Sequence, residues 1–302
     1  MTKSLYDVII IGTGIAGLAA ARHAAQSGLR TATIEALIFG GLIANIGEVD
    51  GEISGSGTDL AANLAMEVAD LGVENVSQTV TGMARTDDQL SIATDAGMYH
   101  ARATVVASGA RLKRLGIPGE AEFEYKGVSQ CADCDGPFYQ DQDVIVVGGG
   151  DSALQEAMVL ARFAKTVHLI HRGEQFRAHR KLIDAVASHN NIVPVWSTIA
   201  EEILGGETVT RVRVRNVSTN ATSDIACTGF FAYIGLQPAC EFVPAEVERD
   251  GKGCLVTNAA LQTALPGVYA AGAVRAGHGG LLAHAMAEGK AAAEAIGAEL
   301  RG

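Results

Sequence analysis

The feature that most constrains the fold is a pattern that occurs twice: an apolar strand, a glycine-rich loop and a helix. Near the N-terminus the β-branched run Val8–Ile11 leads into the loop GTGIAG, and a helical run then continues to Gly28. A continuous apolar run is typical of a parallel strand that is buried on both faces. The G-x-G-x-x-G spacing after such a strand predicts a dinucleotide-binding unit, because the glycines let the backbone approach a pyrophosphate where the helix begins.

The first copy of the pattern ends on an acid. The stretch RTATIEA is interpreted as a second strand that closes on Glu35, roughly 20 residues beyond the motif, where an acid accepts a hydrogen bond from an adenosine ribose. A glycine-rich turn that binds nothing is the alternative, but it leaves the ordered series of strand, loop, helix, strand and acid unexplained. The predicted contacts of this unit are Gly12, Gly14, Ala16, Gly17 and Glu35.

The second copy ends on basic residues instead. Val144–Val147 repeats the strand pattern, GGGDSA is the loop, a helix is expected to run to about Phe163, and Val167–Ile170 is the next strand. Basic residues after that strand suit the 2′-phosphate of NADP, although solvated charges at a strand end are the alternative interpretation. The predicted contacts of this unit are Gly148, Gly150, Asp151, Ser152, Ala153, His171, Arg172 and Arg177.

Composition limits the class of protein. A chain of 302 residues is long for one core, so two domains are expected. With 48% hydrophobic and 19% charged residues, the chain has enough apolar residues to form a sizeable core. Its net charge of −11 argues against nucleic acid or an anionic membrane as partner. No targeting or membrane-spanning segment is recognised, and five cysteines, an odd number, fit a reducing compartment. We therefore expect a cytoplasmic protein.

The stretch CADCDG contains the most reactive residue types in the chain. Cys131 and Cys134 are two residues apart, and Asp135 follows directly. A zinc site needs a second pair of ligands, but the other three cysteines are isolated, so no metal is expected. A structural disulfide does not suit a reducing compartment. A redox-active dithiol is the remaining interpretation, with Asp135 as the group that moves the proton.

Six motifs along the chain resemble those of one family. GTGIAG, CADCDG, GGGDSA, HRGEQFRA, YIGLQP and TALPGVYAAGAV have the order and spacing seen in the low-molecular-weight thioredoxin reductases. The resemblance implies an α/β fold with two Rossmann-like domains, in which an NADPH-binding domain (residues 114–241) carries the CxxC. That domain is inserted into a discontinuous FAD-binding domain, expected at residues 1–113 and 242–302.

The resemblance also implies roles for individual residues. Cys134 is expected to lie against the flavin, Cys131 to exchange with the partner disulfide, and Asp135 to act as acid and base. The cofactors are expected to be FAD and NADPH, the partner a thioredoxin-like protein or a small disulfide, and the assembly a homodimer. Further positions implied to contact FAD are Gly41, Leu42, Asn45, Gly109, Gly272 and Ala273.

The chain departs from the family pattern mainly around the flavin. Ala273 stands where the family has an aspartate, Leu42 replaces a glutamine, and Gly51 replaces an asparagine. Gly280 and Leu281 fall on the positions of an arginine–glutamine pair. Each loss removes a polar contact worth on the order of 1 kcal/mol. Asn45, His278 and His284 are candidates to replace these contacts, and Gly173 takes the place of a second arginine in the NADPH motif.

Three functions are compatible with these patterns. The first is an NADPH-dependent flavoprotein that reduces a thioredoxin-like protein through the Cys131–Cys134 pair. The second is a dithiol oxidase that acts on a small dithiol and uses oxygen; such enzymes tend to lose the NADPH motif, which is largely present here. The third is a redox or nucleotide sensor with low turnover, suggested by the altered flavin contacts.

Overall fold

The structure is a computed structural model and describes residues 5–36, 39–46, 55–86 and 89–302. The strands within these residues are β1 (Tyr6–Ile11), β2 (Thr31–Glu35), β3 (Glu74–Ser77), β4 (Val80–Thr86), β5 (Gln89–Thr94), β6 (Gly97–Val106), β7 (Ala110–Leu112), β8 (Val128–Ser129), β9 (Asp143–Gly148), β10 (Thr166–Ile170), β11 (Ile192–Val195), β12 (Thr198–Gly205), β13 (Val209–Asn216), β14 (Thr222–Ala226), β15 (Gly229–Tyr233), β16 (Leu236–Pro238) and β17 (Val268–Ala270). The helices are α1 (Ile15–Gln26), α2 (Gly57–Asp70), α3 (Ala132–Asp135), α4 (Asp151–Leu160), α5 (Arg180–Ala187) and α6 (Leu282–Arg301).

The chain divides into two compact units. Unit 1 consists of Met1–Arg111 and Gln237–Gly302, and unit 2 is the intervening stretch Leu112–Leu236. The chain passes from one unit to the other within the short strands β7 and β16. Each unit has its own sheets and its own hydrophobic cores.

Unit 1 is built on a seven-stranded sheet with β1 near its centre. The order is β3-β2-β1-β6-β5-β4, and β17 also pairs with β6. β1 is parallel to β2 and β6, and its side chains alternate between two cores: Val8 and Ile10 face α1, α2 and α6, whereas Ile9 and Ile11 face the opposite side. Burial on both faces explains why this strand is a continuous apolar run.

Unit 2 repeats this arrangement with five parallel strands in the order β11-β10-β9-β15-β8. Val144 and Val146 of β9 pack with α4, and Ile145 and Val147 pack with the antiparallel sheet β12-β13-β14. In β13 the buried side chains are valines, while its arginines pair with acids of β12 and β14, so one face of this strand is packed and the other is charged. The sheet of unit 2 is parallel, and that of unit 1 is parallel apart from the antiparallel strands β5 and β4 at one edge. These sheets, each with a glycine loop and a helix, confirm the predicted α/β class.

One predicted boundary is wrong. α4 ends at Leu160, three residues before the expected Phe163. The side-chain amide of Asn191 donates to the carbonyl oxygens of Ala161 (2.9 Å) and Ala164 (3.0 Å), so a residue distant in sequence stabilises the turn that ends the helix. None of the helices in the described part of the chain is long and apolar enough to cross a membrane.

The contact between α6 and α1 predicts the effect of one added methyl group. A Cβ on Gly289 would lie 2.0 Å from the backbone oxygen of Ala16, so the helices approach each other as closely as glycine allows. We expect Gly289→Ala to lower the melting temperature by about 4–8 °C, as an overpacked core contact costs about 2 kcal/mol. Gly297→Ala on the same helix is the matched control, because its Cβ would approach only the flexible end of Arg301. Equal melting temperatures for the two variants would contradict this interpretation.

Candidate active site

The first glycine loop brings the backbone of β1 against the start of α1. A Cβ on Gly17 would lie 1.9 Å from the carbonyl oxygen of Gly12, and one on Gly12 would lie 2.5 Å from the carbonyl oxygen of Ala107. Gly12 also has φ +97°, a conformation that favours glycine. Gly14 precedes the helix as its N-cap, and the nearest atom to a Cβ there would be 3.8 Å away. The loop is therefore closely packed at Gly12 and Gly17, whereas the space next to Gly14 is open.

Glu35 lies at the end of β2, as predicted, and contacts the loop itself. Its Oε2 atom accepts hydrogen bonds from the backbone N–H of Thr13 (2.9 Å) and from the Thr13 hydroxyl (3.2 Å). Both residues line a cavity of about 270 Å³ that Phe39 and Asn75 also border. The acid thus has a fixed orientation at the edge of a cavity beside the glycine loop.

Most of the other predicted contacts in unit 1 lie at the same end of α1. A Cβ on Gly41 would lie 3.7 Å from the Cα of Gly14, and a Cβ on Gly272 would lie 2.9 Å from the Cβ of Ala16. Gly109 lies beyond the end of β6 with open space around it. The structure therefore brings Gly14, Ala16, Gly41 and Gly272 together, although they are far apart in sequence.

The positions that depart from the family pattern carry apolar side chains with large exposed fractions. Leu42 is 38% exposed, Leu281 is 59% exposed, and Ala273 is half-buried. Gly280 is in the turn before α6. Gly51 and the side chain of Asn45 lie outside the described residues.

A half-buried ionic cluster supports the turn that carries Ala273. The Glu288 carboxylate accepts hydrogen bonds from the Gly272 N–H (2.8 Å) and from Arg275 (2.6 Å), and His278 Nδ1 lies 3.2 Å from it. Burial acts to raise the pKa of Glu288, but the hydrogen bonds from Arg275, Gly272 and His278 outweigh it and hold the pKa below its usual value. His278 therefore has a polar partner, and His284, the other candidate histidine, lies on α6.

The second glycine loop in unit 2 packs against a buried histidine. A Cβ on Gly149 would lie 2.3 Å from the ring of His171, which follows β10 and also contacts Phe176 and Trp196. Burial, followed by the charge of Arg177, lowers the pKa of His171, so its ring is neutral near pH 7. His171 therefore forms part of the cavity wall as a neutral ring. The positive charge of the cavity comes from other residues.

Two arginines supply positive charge to this cavity. Arg172 and Arg177 line a space of about 420 Å³ together with the glycine loop, and within the described residues neither forms an ion pair with a carboxylate. The Arg177 N–H donates to the carbonyl oxygen of Gly149 (2.7 Å). Asp151, at the start of α4, accepts from the His179 N–H (2.7 Å) and contacts its ring nitrogen (2.5 Å). These contacts hold the basic segment over the loop, next to Ser152 and Ala153 of α4.

The CADCDG stretch forms a short turn of helix closed by a disulfide. Cys131 and Cys134 are joined, with Cα atoms 5.3 Å apart. The Cys131 N–H donates to the Ser129 hydroxyl (3.1 Å), and the Cys134 N–H donates to Cys131 Sγ (3.1 Å). Cys134 is exposed, Cys131 is half-buried, and Asp135 ends the turn. Within the described residues, no group of three or more metal-ligating side chains is assembled.

A carboxyl group that the sequence analysis missed lies beneath this turn. Glu156 of α4 is half-buried, and the Tyr233 hydroxyl is 3.5 Å from its Oε2 atom. Burial, and next the charge of Asp133, raises the pKa of Glu156 to about 7, although hydrogen bonds from Tyr233 and the Ala132 N–H act in the opposite direction. Its position in α4, shortly after the glycine loop, is visible in the sequence, but its contact with the redox turn is not.

Comparison with known proteins places this geometry in a family. The family model described as pyridine nucleotide-disulphide oxidoreductase matches residues 6–289. The thioredoxin reductase of Treponema pallidum is 37% identical over 93% of this chain and 96% of its own, and that of Mycolicibacterium smegmatis is 38% identical over 90% and 89%. The crystal structure of Lactococcus lactis thioredoxin reductase matches 97% of this chain and 99% of its own with a TM-score of 0.90 and 35% identity.

The chain belongs to the low-molecular-weight thioredoxin reductase family. As a member of it, the chain is an NAD(P)H-dependent flavoprotein disulfide oxidoreductase, and Cys131–Cys134 is its redox-active disulfide. The thioredoxin reductase resemblance carried by the six motifs is confirmed, and so is the class of enzyme that it implies.

The raised pKa of Glu156 predicts how stability depends on pH. Because an unfolded glutamate titrates near its ordinary value of 4.5, the folded protein holds an extra proton between about pH 4.5 and pH 7. Stability from this group is therefore lost as the pH rises through that window. Between pH 5 and pH 8 we expect wild type to lose roughly 1–2 kcal/mol more than Glu156→Gln, after allowance for its partial exposure. Urea unfolding at both pH values measures this, with exposed Glu122→Gln as control; parallel losses in wild type and Glu156→Gln would refute it.

Proposed function

We propose that this protein uses NADPH and FAD to reduce its Cys131–Cys134 disulfide and passes the electrons to the disulfide of a thioredoxin-like protein. The observation that carries the proposal is the formed disulfide, with Asp135 beside it, in the same unit as a glycine loop lined by two arginines. The relatives that match nearly the whole chain are thioredoxin reductases. Their partner is therefore the first substrate to test.

Unit 1 is proposed to bind FAD through the residues at the start of α1. What supports this is the open space above Gly14, next to backbone N–H groups at the positive end of a twelve-residue helix. Glu35 lies at the edge of the adjacent cavity, in reach of an adenosine ribose. Exposed Leu42 and Leu281 would offer apolar surface to FAD in place of the family's polar contacts, so the residues present fit the group with fewer hydrogen bonds.

Unit 2 is proposed to bind NADPH. A Cβ on Gly150 would meet no atom within 4 Å, which leaves room for a pyrophosphate at the start of α4. Arg172 and Arg177 line the cavity as cations for the 2′-phosphate, whereas Gly173 adds no charge. The proposed preference for NADPH over NADH therefore depends on these two arginines.

The protein residues divide the work on the disulfide. FAD, when bound, would supply the electron pair that reduces the disulfide, received as hydride from NADPH. Cys134 would accept that pair as the S–S bond breaks, which leaves Cys131 as a thiolate. Cys131 then attacks the partner disulfide, and Asp135 protonates the departing partner thiolate. Cys134 attacks the resulting mixed disulfide, the Cys131–Cys134 bond re-forms, and the second partner sulfur leaves as a thiolate that takes its proton from solvent. One electron pair and two protons are transferred to the partner.

The dithiol oxidase and the low-turnover sensor are less well supported. The preserved basic cavity of unit 2 favours a reductase, because an oxidase that draws electrons from a small dithiol has no use for NADPH. The cluster of Glu288, Arg275 and His278 shows that the turn with Ala273 keeps a fixed conformation, which favours an assembled flavin site over a degenerate one. A homodimer and a cytoplasmic location also stay predictions.

An anaerobic NADPH titration tests the proposed electron path. We expect the visible absorbance of the flavin to bleach with about two hydride equivalents per flavin, one for FAD and one for the disulfide. Oxidised thioredoxin should then restore it. A flavin that stays oxidised under NADPH, combined with oxygen consumption driven by a dithiol alone, would favour the oxidase. A protein that cannot be reconstituted with FAD would leave the sensor.

Cysteine variants separate the two halves of the path. Cys131→Ser and Cys134→Ser should each abolish thioredoxin reduction and lower the NADPH consumed to about one equivalent per flavin. Buried Cys227→Ser is the matched control, because burial raises the pKa of this thiol to about 12 and it lies outside the redox turn. Thioredoxin turnover by Cys134→Ser would refute the mechanism.

The basic cavity predicts cofactor preference. We expect Arg172→Ala to raise KM for NADPH about tenfold or more and to change KM for NADH less than about twofold, since a charge-assisted contact to the 2′-phosphate is lost. Steady-state kinetics with both nucleotides measure the split. Arg180→Ala is the control, because this arginine pairs with Asp184 on α5 and does not line the cavity. Equal effects on both nucleotides would contradict the assignment.

A further inference from the structure

Cys131 lines a second cavity of unit 2, separate from the one proposed to bind NADPH. This cavity has a volume of about 260 Å³ and is formed within unit 2. Its wall includes Lys113, Arg114, Glu124, Tyr125, Cys131 and Asp135. A group that reaches the sulfur of Cys131 through this space must therefore pass these side chains.

Tyr125 is the large apolar group of this wall, and it lies almost entirely in solvent. Its side chain is 93% exposed, so its ring contributes almost nothing to the core. Scattered exposed apolar residues are normal in proteins, but an exposed aromatic ring beside a reactive sulfur is surface of the type that binds partners. A substrate that approaches Cys131 through this cavity therefore passes the Tyr125 ring.

The backbone at Tyr125 is also strained. Its φ is +63°, in the left-handed region, where a bulky side chain is an outlier. Non-glycine residues with positive φ in the described part of the chain are Tyr125, Asp141, Ser197, Asn220 and Leu261. Three of these carry small polar side chains, and Leu261 is buried in a core. Tyr125 has a large side chain that is not buried. Strain that yields no burial is the kind that collects at functional sites.

The surrounding turn fixes the backbone at Tyr125. The Tyr125 N–H donates to the carbonyl oxygen of Val128 (3.1 Å), and the N–H groups of Lys126 (2.8 Å) and Val128 (3.0 Å) donate to that of buried Phe123. The left-handed backbone is therefore held by hydrogen bonds on both sides, which fixes the point from which the ring leaves the chain. A partner that covers the ring has no backbone to order there.

Three of the five charged side chains of the wall have close polar partners. Arg114 pairs with Glu124, and both oxygens of the buried Glu120 carboxylate accept backbone N–H groups, from Leu115 (3.0 Å) and Gly116 (2.7 Å). Beside these satisfied pairs, the Tyr125 ring offers the apolar contact surface at the cavity. The observations favour a partner that brings an apolar or aromatic group next to its disulfide.

We propose that Tyr125 is a specificity-determining residue: its ring contacts an apolar or aromatic side chain that flanks the disulfide attacked by Cys131 in a protein substrate. The proposal rests on the proposed function, because it takes Cys131 as the nucleophile toward the partner. In that step the Cys131 thiolate forms a bond to one partner sulfur, the partner S–S bond breaks, and the second sulfur leaves as a thiol after protonation.

The first experiment compares Tyr125→Asn, Tyr125→Phe and wild type with oxidised bacterial thioredoxin as substrate. Asparagine tolerates the left-handed conformation, so the melting temperature of Tyr125→Asn should equal or exceed that of wild type. We expect its KM for thioredoxin to rise about tenfold with kcat within about twofold, the size of effect found for aromatic contacts in interfaces. Tyr125→Phe keeps the ring and should retain the wild-type KM.

The matched control is Asn220→Gly, which also changes a residue with positive φ in unit 2 but is not in the cavity wall. It should leave KM unchanged. An unchanged KM in Tyr125→Asn, an equal rise in Tyr125→Phe, or a loss confined to kcat would each overturn the proposal.

A second readout needs no cofactor and is independent of thioredoxin. In a Cys134→Ser, Cys254→Ser background, Cys131 is the one thiol that is not buried, because Cys227 and Cys240 lie in the cores. It forms a mixed disulfide with an added small disulfide, and one thiol leaves. We expect the additional change Tyr125→Asn to slow this reaction about fivefold for the aromatic dithiobis(nitrobenzoate) and to leave it unchanged for bis(hydroxyethyl) disulfide, which has no ring. Equal rates in both backgrounds for both reagents would overturn the role of the ring.

The two experiments separate the two claims. If wild type reduces no thioredoxin, the proposed function fails, and the trapping rates still decide whether the ring recognises the flank of a disulfide. If wild type reduces thioredoxin and Tyr125→Asn behaves like wild type in both assays, the inference about Tyr125 fails and the proposed function stands.

Discussion

The close approach of three backbone segments at the start of α1 is the constraint on which the rest of unit 1 depends. Gly12 and Gly17 meet where only hydrogen atoms fit, and Gly289 of α6 lies against Ala16 from the other side. Because these contacts leave no room for side chains, they fix the direction of α1 and α6 relative to β1. The turn at Gly272 is then held against Ala16, and so a residue far along the chain reaches the start of α1. The packing of glycines around α1 therefore determines which residues meet at the start of this helix.

In unit 2 the loop at the start of α4 is held in place by side chains as well as by glycines. The ring of His171 fills the space over Gly149, and Asp151 binds both the backbone and the ring of His179. The basic segment is therefore held over the loop by a neutral histidine and a carboxylate, which leaves Arg172 and Arg177 to provide charge. The cavity that we propose for a phosphate is built by residues of which only some would touch it. This division explains why a basic strand end alone was an ambiguous signal in the sequence.

The sequence predicts the parts of the molecule that depend on local pattern. The strands around Val8–Ile11 and Val144–Val147, the glycine loops and the redox pair follow from burial on two faces and from spacing between neighbours. The end of α4 is wrong by three residues because Asn191, distant in sequence, determines it. Glu156, beneath the redox turn, was missed for the same reason. Its chemistry depends on Asp133 and Tyr233, which are brought to it by tertiary contacts.

The departures from the family pattern acquire a physical meaning from the Glu288 cluster. A carboxylate is absent at Ala273, but the half-buried carboxylate of Glu288 accepts the N–H of Gly272 and pairs with Arg275. Hydrogen bonds that outweigh burial keep the pKa of Glu288 low, so the group is charged and the turn stays anchored near neutral pH. Glu288 therefore holds the turn without a carboxylate at position 273. In the FAD site proposed for unit 1, the side chains at Leu42, Ala273 and Leu281 can neither carry a charge nor donate a hydrogen bond. Negative charge on a reduced flavin bound there would be less stabilised. On that proposal the altered contacts bear on the reduction potential of the cofactor more directly than on the conformation of the turn, which Glu288 holds.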